Sequence, residues 1–128
     1  MPISWTMDRD LHLLRAKIEG NVTWGEIVEY LATIQRLFPE PPDAILDVTG
    51  ARSSDISHQQ VMELARGPRK YARVAIVTGQ PAQFGLARMY QLAAEVQPER
   101  KVSCVVTSQE EALAWLRGET PAVRDAAG

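Results

Sequence analysis

The stretch Ala44-Ile45-Leu46-Asp47-Val48-Thr49-Gly50 decides the fold class. A short apolar run that ends on turn-forming residues is a strand buried on both faces, the kind a parallel sheet uses. The chain then repeats the pattern. Arg73-Val74-Ala75-Ile76-Val77-Thr78 runs into Gly79-Gln80-Pro81, and Lys101 to Thr107 forms another such run. Helical periodicity fills the intervals between these runs, and alternation of buried strands with helices implies a parallel sheet with right-handed crossovers.

The helices announce their own ends. Thr23-Trp24-Gly25-Glu26 has the S/T-x-x-E form of a capping box, in which each end satisfies an amide of the other. Trp24, Ile27, Val28, Leu31, Ile34 and Leu37 follow as an amphipathic stripe, and Pro39, Pro41 and Pro42 stop it. Ser57-His58-Gln59-Gln60 is a second box, opening a short helix with Val61, Met62, Leu64 and Ala65 on its apolar side before Gly67-Pro68. Pro81 suits the first position of a third helix, which carries Phe84, Leu86, Met89, Tyr90, Ala93 and Val96. Ser108-Gln109-Glu110-Glu111 caps the last, expected to bury Leu113, Trp115 and Leu116.

Before the first helix, Ile3, Trp5 and Met7 alternate with polar neighbours, and Asp8-Arg9-Asp10 supplies a turn. His12, Leu14, Ala16 and Ile18 then share one face, so the N-terminus reads as a β-hairpin with His12 on the apolar side. The predicted order is β-β-α-β-α-β-α-β-α. This is an α/β fold: a sheet of about five strands, mostly parallel, with an antiparallel N-terminal hairpin and about four covering helices. Residues 1–117 form one domain, and 118–128, small and polar, read as a flexible tail.

Composition excludes several classes. The 128 residues are 45% hydrophobic and 23% charged, as in an ordinary globular domain. A net charge of −2 with no basic patch argues against nucleic acid as a partner. Cys104 is the single cysteine and sits in an apolar run, so it reads as a buried thiol in a reducing compartment. No run approaches the roughly 18 apolar residues of a membrane span, and the expected location is the cytoplasm. Two separated histidines and one cysteine give no metal spacing, and neither G-x-G-x-x-G nor G-x-x-x-x-G-K-[ST] is present, so no cofactor is expected.

Candidate sites follow from the fold. In open α/β sheets ligands gather beyond the carboxyl ends of the parallel strands. Thr49, Gly50, Ser53, Ser54 and Asp55 fall there, as do Thr78 and Gly79, and each segment feeds a helix N-terminus able to hold an anion. Ser57 and Ser108 are accounted for by capping, whereas Ser53 and Ser54 have no such structural duty. Asp47 is an unusual carboxylate for mid-strand and calls for a hydrogen-bond partner. Phe84, with Leu86, Met89 and Tyr90, gives the third helix more apolar surface than one sheet-facing side requires. The surplus points to a lipid-sized pocket or a dimer seam.

On this element order, and on the runs Ala44 to Gly50, Arg73 to Val77, Phe84-Gly85-Leu86-Ala87-Arg88-Met89 and Glu110-Glu111-Ala112-Leu113-Ala114-Trp115-Leu116, the sequence resembles SpoIIAA-like, or STAS-type, domains. It looks more closely like the small bacterial proteins grouped as STAS/SEC14-like. In related anti-sigma-factor antagonists a partner kinase phosphorylates a serine in an Asp-Ser-Ser-Gly motif at the start of the second helix. The matching stretch here is Arg52-Ser53-Ser54-Asp55, so the resemblance implies Ser53 or Ser54 as the modified residue, in a motif that has lost its flanking Asp and Gly. The SEC14-like side of the family implies an apolar pocket.

Three functional expectations result. The first is a non-catalytic regulatory or binding module, acting on a protein partner through the loops after the third and fourth strands. The second is a carrier of a small hydrophobic or lipid-like ligand, which requires an internal cavity of roughly 300 Å3 or more. The third is an enzyme on a small anionic metabolite, with Asp47 or His58 as base. The hairpin edge is also a template for a homodimer.

Overall fold

The computed structural model describes residues 2–52, 56–98 and 101–119. The N-terminal alternation becomes strand β1 (Ile3–Asp8), paired antiparallel with β2 (Leu13–Gly20), so that Ile3 lies opposite Ile18 and Trp5 opposite Ala16. The turn between them is longer than Asp8-Arg9-Asp10. Asp8 Oδ1 accepts the Leu11 amide at 3.2 Å, and His12 closes the turn in the left-handed region with φ 51°. His12 is therefore an exposed turn residue and not a member of the apolar strand face. Histidine is among the side chains that tolerate this conformation, and the reversal needs it one residue before the ladder begins.

Three strands add in parallel: β3 (Asp43–Ala51), β4 (Arg73–Val77) and β5 (Val102–Val106). The sheet runs β1-β2-β3-β4-β5 in simple sequence. Helices α1 (Trp24–Leu37), α2 (His58–Arg66) and α3 (Pro81–Glu95) make the three crossovers, and α4 (Gln109–Leu116) follows the last strand. Every crossover steps one strand in the same direction, so the right-handed rule puts α1, α2 and α3 on one face. Among the described residues only α4 covers the other.

Strand alternation divides the core accordingly. Leu14, Ala16, Ile18, Ala44, Val74, Ile76 and Val105 face the three helices. Leu13, Ile45, Ala75, Val77, Cys104 and Val106 face α4, where Ala112 is fully buried. Leu113, Trp115 and Leu116 are half-buried, because one short helix cannot enclose its own flanks. Among the described residues no helix covers the outer face of the β1–β2 hairpin, which presents exposed Ser4, Thr6 and Lys17.

The capping boxes form as the sequence predicts. Thr23 Oγ1 accepts the Glu26 amide at 3.1 Å while Glu26 Oε1 accepts the Thr23 amide at 2.9 Å. Ser57 and Gln60 repeat the exchange at 3.1 and 2.9 Å. At α4 the arrangement shifts by one residue. Ser108 Oγ accepts the Glu111 amide, but the Glu111 carboxylate reaches Thr107, at 2.9 Å to its amide and 2.6 Å to its hydroxyl.

Two helical stripes differ from their expected composition. On α1 the buried positions are Ile27, Tyr30 and Ile34, whereas Val28 and Leu37 are exposed. On α3 they are Gln83, Ala87, Gln91 and Ala94, and two of these are polar.

A tyrosine-lined apolar cavity

Helix α2 packs closely on α3, but α1 packs closely on neither. Between α1, its two neighbours and the sheet lies a cavity of about 490 Å3. Its walls are Ile27 and Leu31 from α1, Leu46 and Val48 from β3, Ile76 from β4, and Leu86 and Ala87 from α3. The space follows from residue size. Ala51 and Ala87 add little bulk to its wall. Exposed Val28, Gln35, Arg52 and Glu63 stand at the rim.

All three tyrosines of the chain line this cavity: Tyr30 from α1, Tyr71 just before β4, and Tyr90 from α3. The Tyr30 and Tyr71 hydroxyls are 2.7 Å apart and share a hydrogen bond. Burial pushes Tyr30 and Tyr90 up to about 12. Tyr71 is raised well above its usual value by its own burial, with Tyr30 and Tyr90 adding to the effect. All three phenols are therefore neutral at physiological pH, and each is a possible donor.

The residues expected to form a site at the strand ends do different work. Strand β3 runs on through Thr49 and Gly50, which are strand residues and not loop residues. Gly50 pairs with Glu19 while Asp47 pairs with Lys17, so β3 carries one extra residue, a β-bulge. Asp47 serves that bulge. Its Oδ1 accepts the Thr49 amide at 2.9 Å and the Thr49 hydroxyl at 2.6 Å, and Oδ2 accepts from Gln109 Nε2 at 3.3 Å. Burial alone would raise this carboxyl, but the bonds from Thr49 and Gln109 and the charge of Lys17 outweigh it and hold it below its usual value.

Thr78 is buried, its amide and hydroxyl both directed at the Val106 carbonyl. Gly79 donates its amide to Gln83 Oε1 at 2.8 Å, and Gln80 does the same at 3.1 Å. Gln83 Nε2 in turn donates to the Thr49 and Ala51 carbonyls at 3.1 and 2.9 Å. One buried side chain thus occupies the groups that an anion would have used at α3. The Glu111 carboxylate does so at α4. The sheet has no reversal of strand order among β1 to β5, so the crevice that such a reversal creates is missing here.

Phe84 is exposed and lies outside the cavity wall, whereas Leu86 and Tyr90 of the same helix are part of it. Ser53, Ser54 and Asp55 lie outside the described residues. Among the described residues no cluster of histidine, cysteine, aspartate or glutamate could hold a metal, and no helix is long and apolar enough to cross a membrane.

Sequence reasoning missed Tyr30, Tyr71 and the buried Gln83. Tyr30 stands three residues after Ile27 and four before Ile34, so the helical period placed it on the buried stripe. Tyr71 and Gln83 gave no such signal, because their roles arise only when distant elements meet.

The chain is similar to a crystal structure of an uncharacterised DUF3478-family protein from Shewanella loihica PV-4, described as having a SpoIIAA-like fold. The two share 20% identity at a TM-score of 0.56, over 89% of this chain and 91% of that one. The fold is SpoIIAA-like. At this identity the likeness concerns the architecture: the mixed five-stranded sheet, the antiparallel hairpin and the four helices. No family model matches the chain, and no curated protein does.

Proposed function

We propose that this chain is a non-catalytic binding module that holds a small, mainly apolar molecule under α1. The cavity carries this reading. Its volume, about 490 Å3, falls within the roughly 300–1,000 Å3 of small-molecule sites, and its walls are mainly apolar, with the three tyrosines and Gln83 among them and charged side chains toward the rim. Such a space among close-packed elements forfeits dispersion contacts unless something fills it. The candidate bases for an enzymatic reading stand elsewhere. Asp47 serves the bulge on the opposite face of the sheet, and His58 is exposed at the start of α2. Of the strand-end residues that a partner-binding reading would use, Thr49, Thr78 and Gly79 are already bonded within the chain.

The test is saturable binding of an environment-sensitive apolar dye to the purified protein, with Val48→Phe built to fill the cavity from β3. The variant should keep the unfolding midpoint of the parent and bind the dye at least about tenfold more weakly, equivalent to 1.4 kcal/mol. Undiminished binding by a folded Val48→Phe would put the dye, and the proposed site, somewhere other than this cavity.

A further inference from the structure

Gln83 in the cavity wall is committed to backbone groups, but the hydrogen bonds of the tyrosine group are incomplete. Only one of the two protons on Tyr30 and Tyr71 can lie between their oxygens, 2.7 Å apart. The other hydroxyl must direct its proton elsewhere, and among the described residues nothing accepts it. Tyr90 lies close enough for its charge to influence Tyr71, and its hydroxyl makes no hydrogen bond with a described residue. The cavity therefore holds two donor protons that lack acceptors among the described residues, on a mainly apolar wall.

We infer that the Tyr30, Tyr71 and Tyr90 hydroxyls select ligands through one neutral accepting oxygen, a carbonyl in preference to a carboxylate. This rests on the binding reading above and specifies its ligand class: an apolar body ending in a ketone, aldehyde, ester or amide oxygen. A carbonyl oxygen has two lone pairs and accepts from both donors. An unmatched buried donor is costly, so a hydrocarbon of the same shape leaves the cluster unsatisfied. A carboxylate meets the opposite difficulty, because burying a charge is costly without a counter-charge. A cation beside the phenols would lower them, yet what acts on all three is burial and the phenols themselves. Arg52 stands exposed at the rim, and Lys70 directs its ammonium to the Pro68 carbonyl at 3.2 Å.

Octane, methyl hexyl ketone and octanoate test this with equal carbon number, each displacing the apolar dye at mildly alkaline pH. The ketone should bind about tenfold tighter than octane and than octanoate, as expected for one or two net hydrogen bonds. Replacing all three tyrosines by phenylalanine should abolish the advantage over octane while leaving octane itself bound. Should that triple variant fail to fold, Tyr90→Phe alone breaks no bond among the described residues and should cut the advantage about threefold. Equal affinities for ketone and octane overturn the inference and leave the binding reading standing. Octanoate as the tightest probe overturns the choice of a neutral oxygen. Failure of the dye and of all three probes to bind overturns both.

Discussion

Gln83 does at the strand ends what a bound ligand does in folds with a crevice there. Its two amide atoms join the β3 carbonyls of Thr49 and Ala51 to the amides of Gly79 and Gln80. Gln83→Met keeps the volume and removes these four bonds, leaving partly buried backbone groups without partners. We expect a loss of roughly 2–4 kcal/mol, the cost of a few unsatisfied groups, seen as a lower urea midpoint at unchanged slope. A loss below about 0.5 kcal/mol would mean that water replaces the side chain and that the strand ends are open after all. The sequence gives no warning of this residue. A glutamine on a helix reads as solvent-facing, and its burial is explained only by leftover backbone groups on two other elements. For the same reason Thr49, Gly50, Thr78 and Gly79 look available in the sequence and are occupied in the fold.

Elements were more legible than residues, because caps and periodicity are local. Both complete capping boxes, the proline start of α3 and the order of all nine elements follow from neighbours within four positions. Where longer-range packing decides, legibility ends. The α1 stripe turns toward Tyr30 because that phenol reaches Tyr71, 41 residues away. The helices also differ in how they are held. Gln83 and Gln91 pin α3 to β3 and β5, and buried Lys101 holds the α2 terminus through the Ala65 carbonyl at 2.8 Å. Helix α1 has apolar contacts, an edge-to-face approach of Trp5 and Phe38 at 5.9 Å, and, beyond its own capping box, the Tyr30–Tyr71 bond as its side-chain hydrogen bond to the rest of the described residues. Its amides should therefore exchange with deuterium faster than those of α3, and methyl hexyl ketone should protect α1 more than α3. Equal exchange in the two helices, unchanged by the ketone, would assign α1 to the rigid part of the fold.

At the scale of the whole molecule, the sequential strand order sends three helices to one face and one to the other, and so makes one side thick enough to contain a cavity. Because every tyrosine lines that cavity, the phenol titration of the entire protein reports on this one place. In the unfolded chain the three ionise near 10. In the folded chain burial moves Tyr30 and Tyr90 to about 12 and holds Tyr71 well above its usual value. A folded value above the unfolded one means that the folded state keeps its proton longer. The stability associated with these groups is thus fully present below about 10 and is lost as pH rises toward the folded values. An alkaline titration should accordingly leave tyrosinate absorbance almost absent past pH 10, and then raise it together with the loss of helical circular dichroism. A phenol that ionises near 10 while the helices persist would mean that water reaches the cluster freely. The cavity would then lack the apolar surroundings on which recognition of a carbonyl oxygen depends.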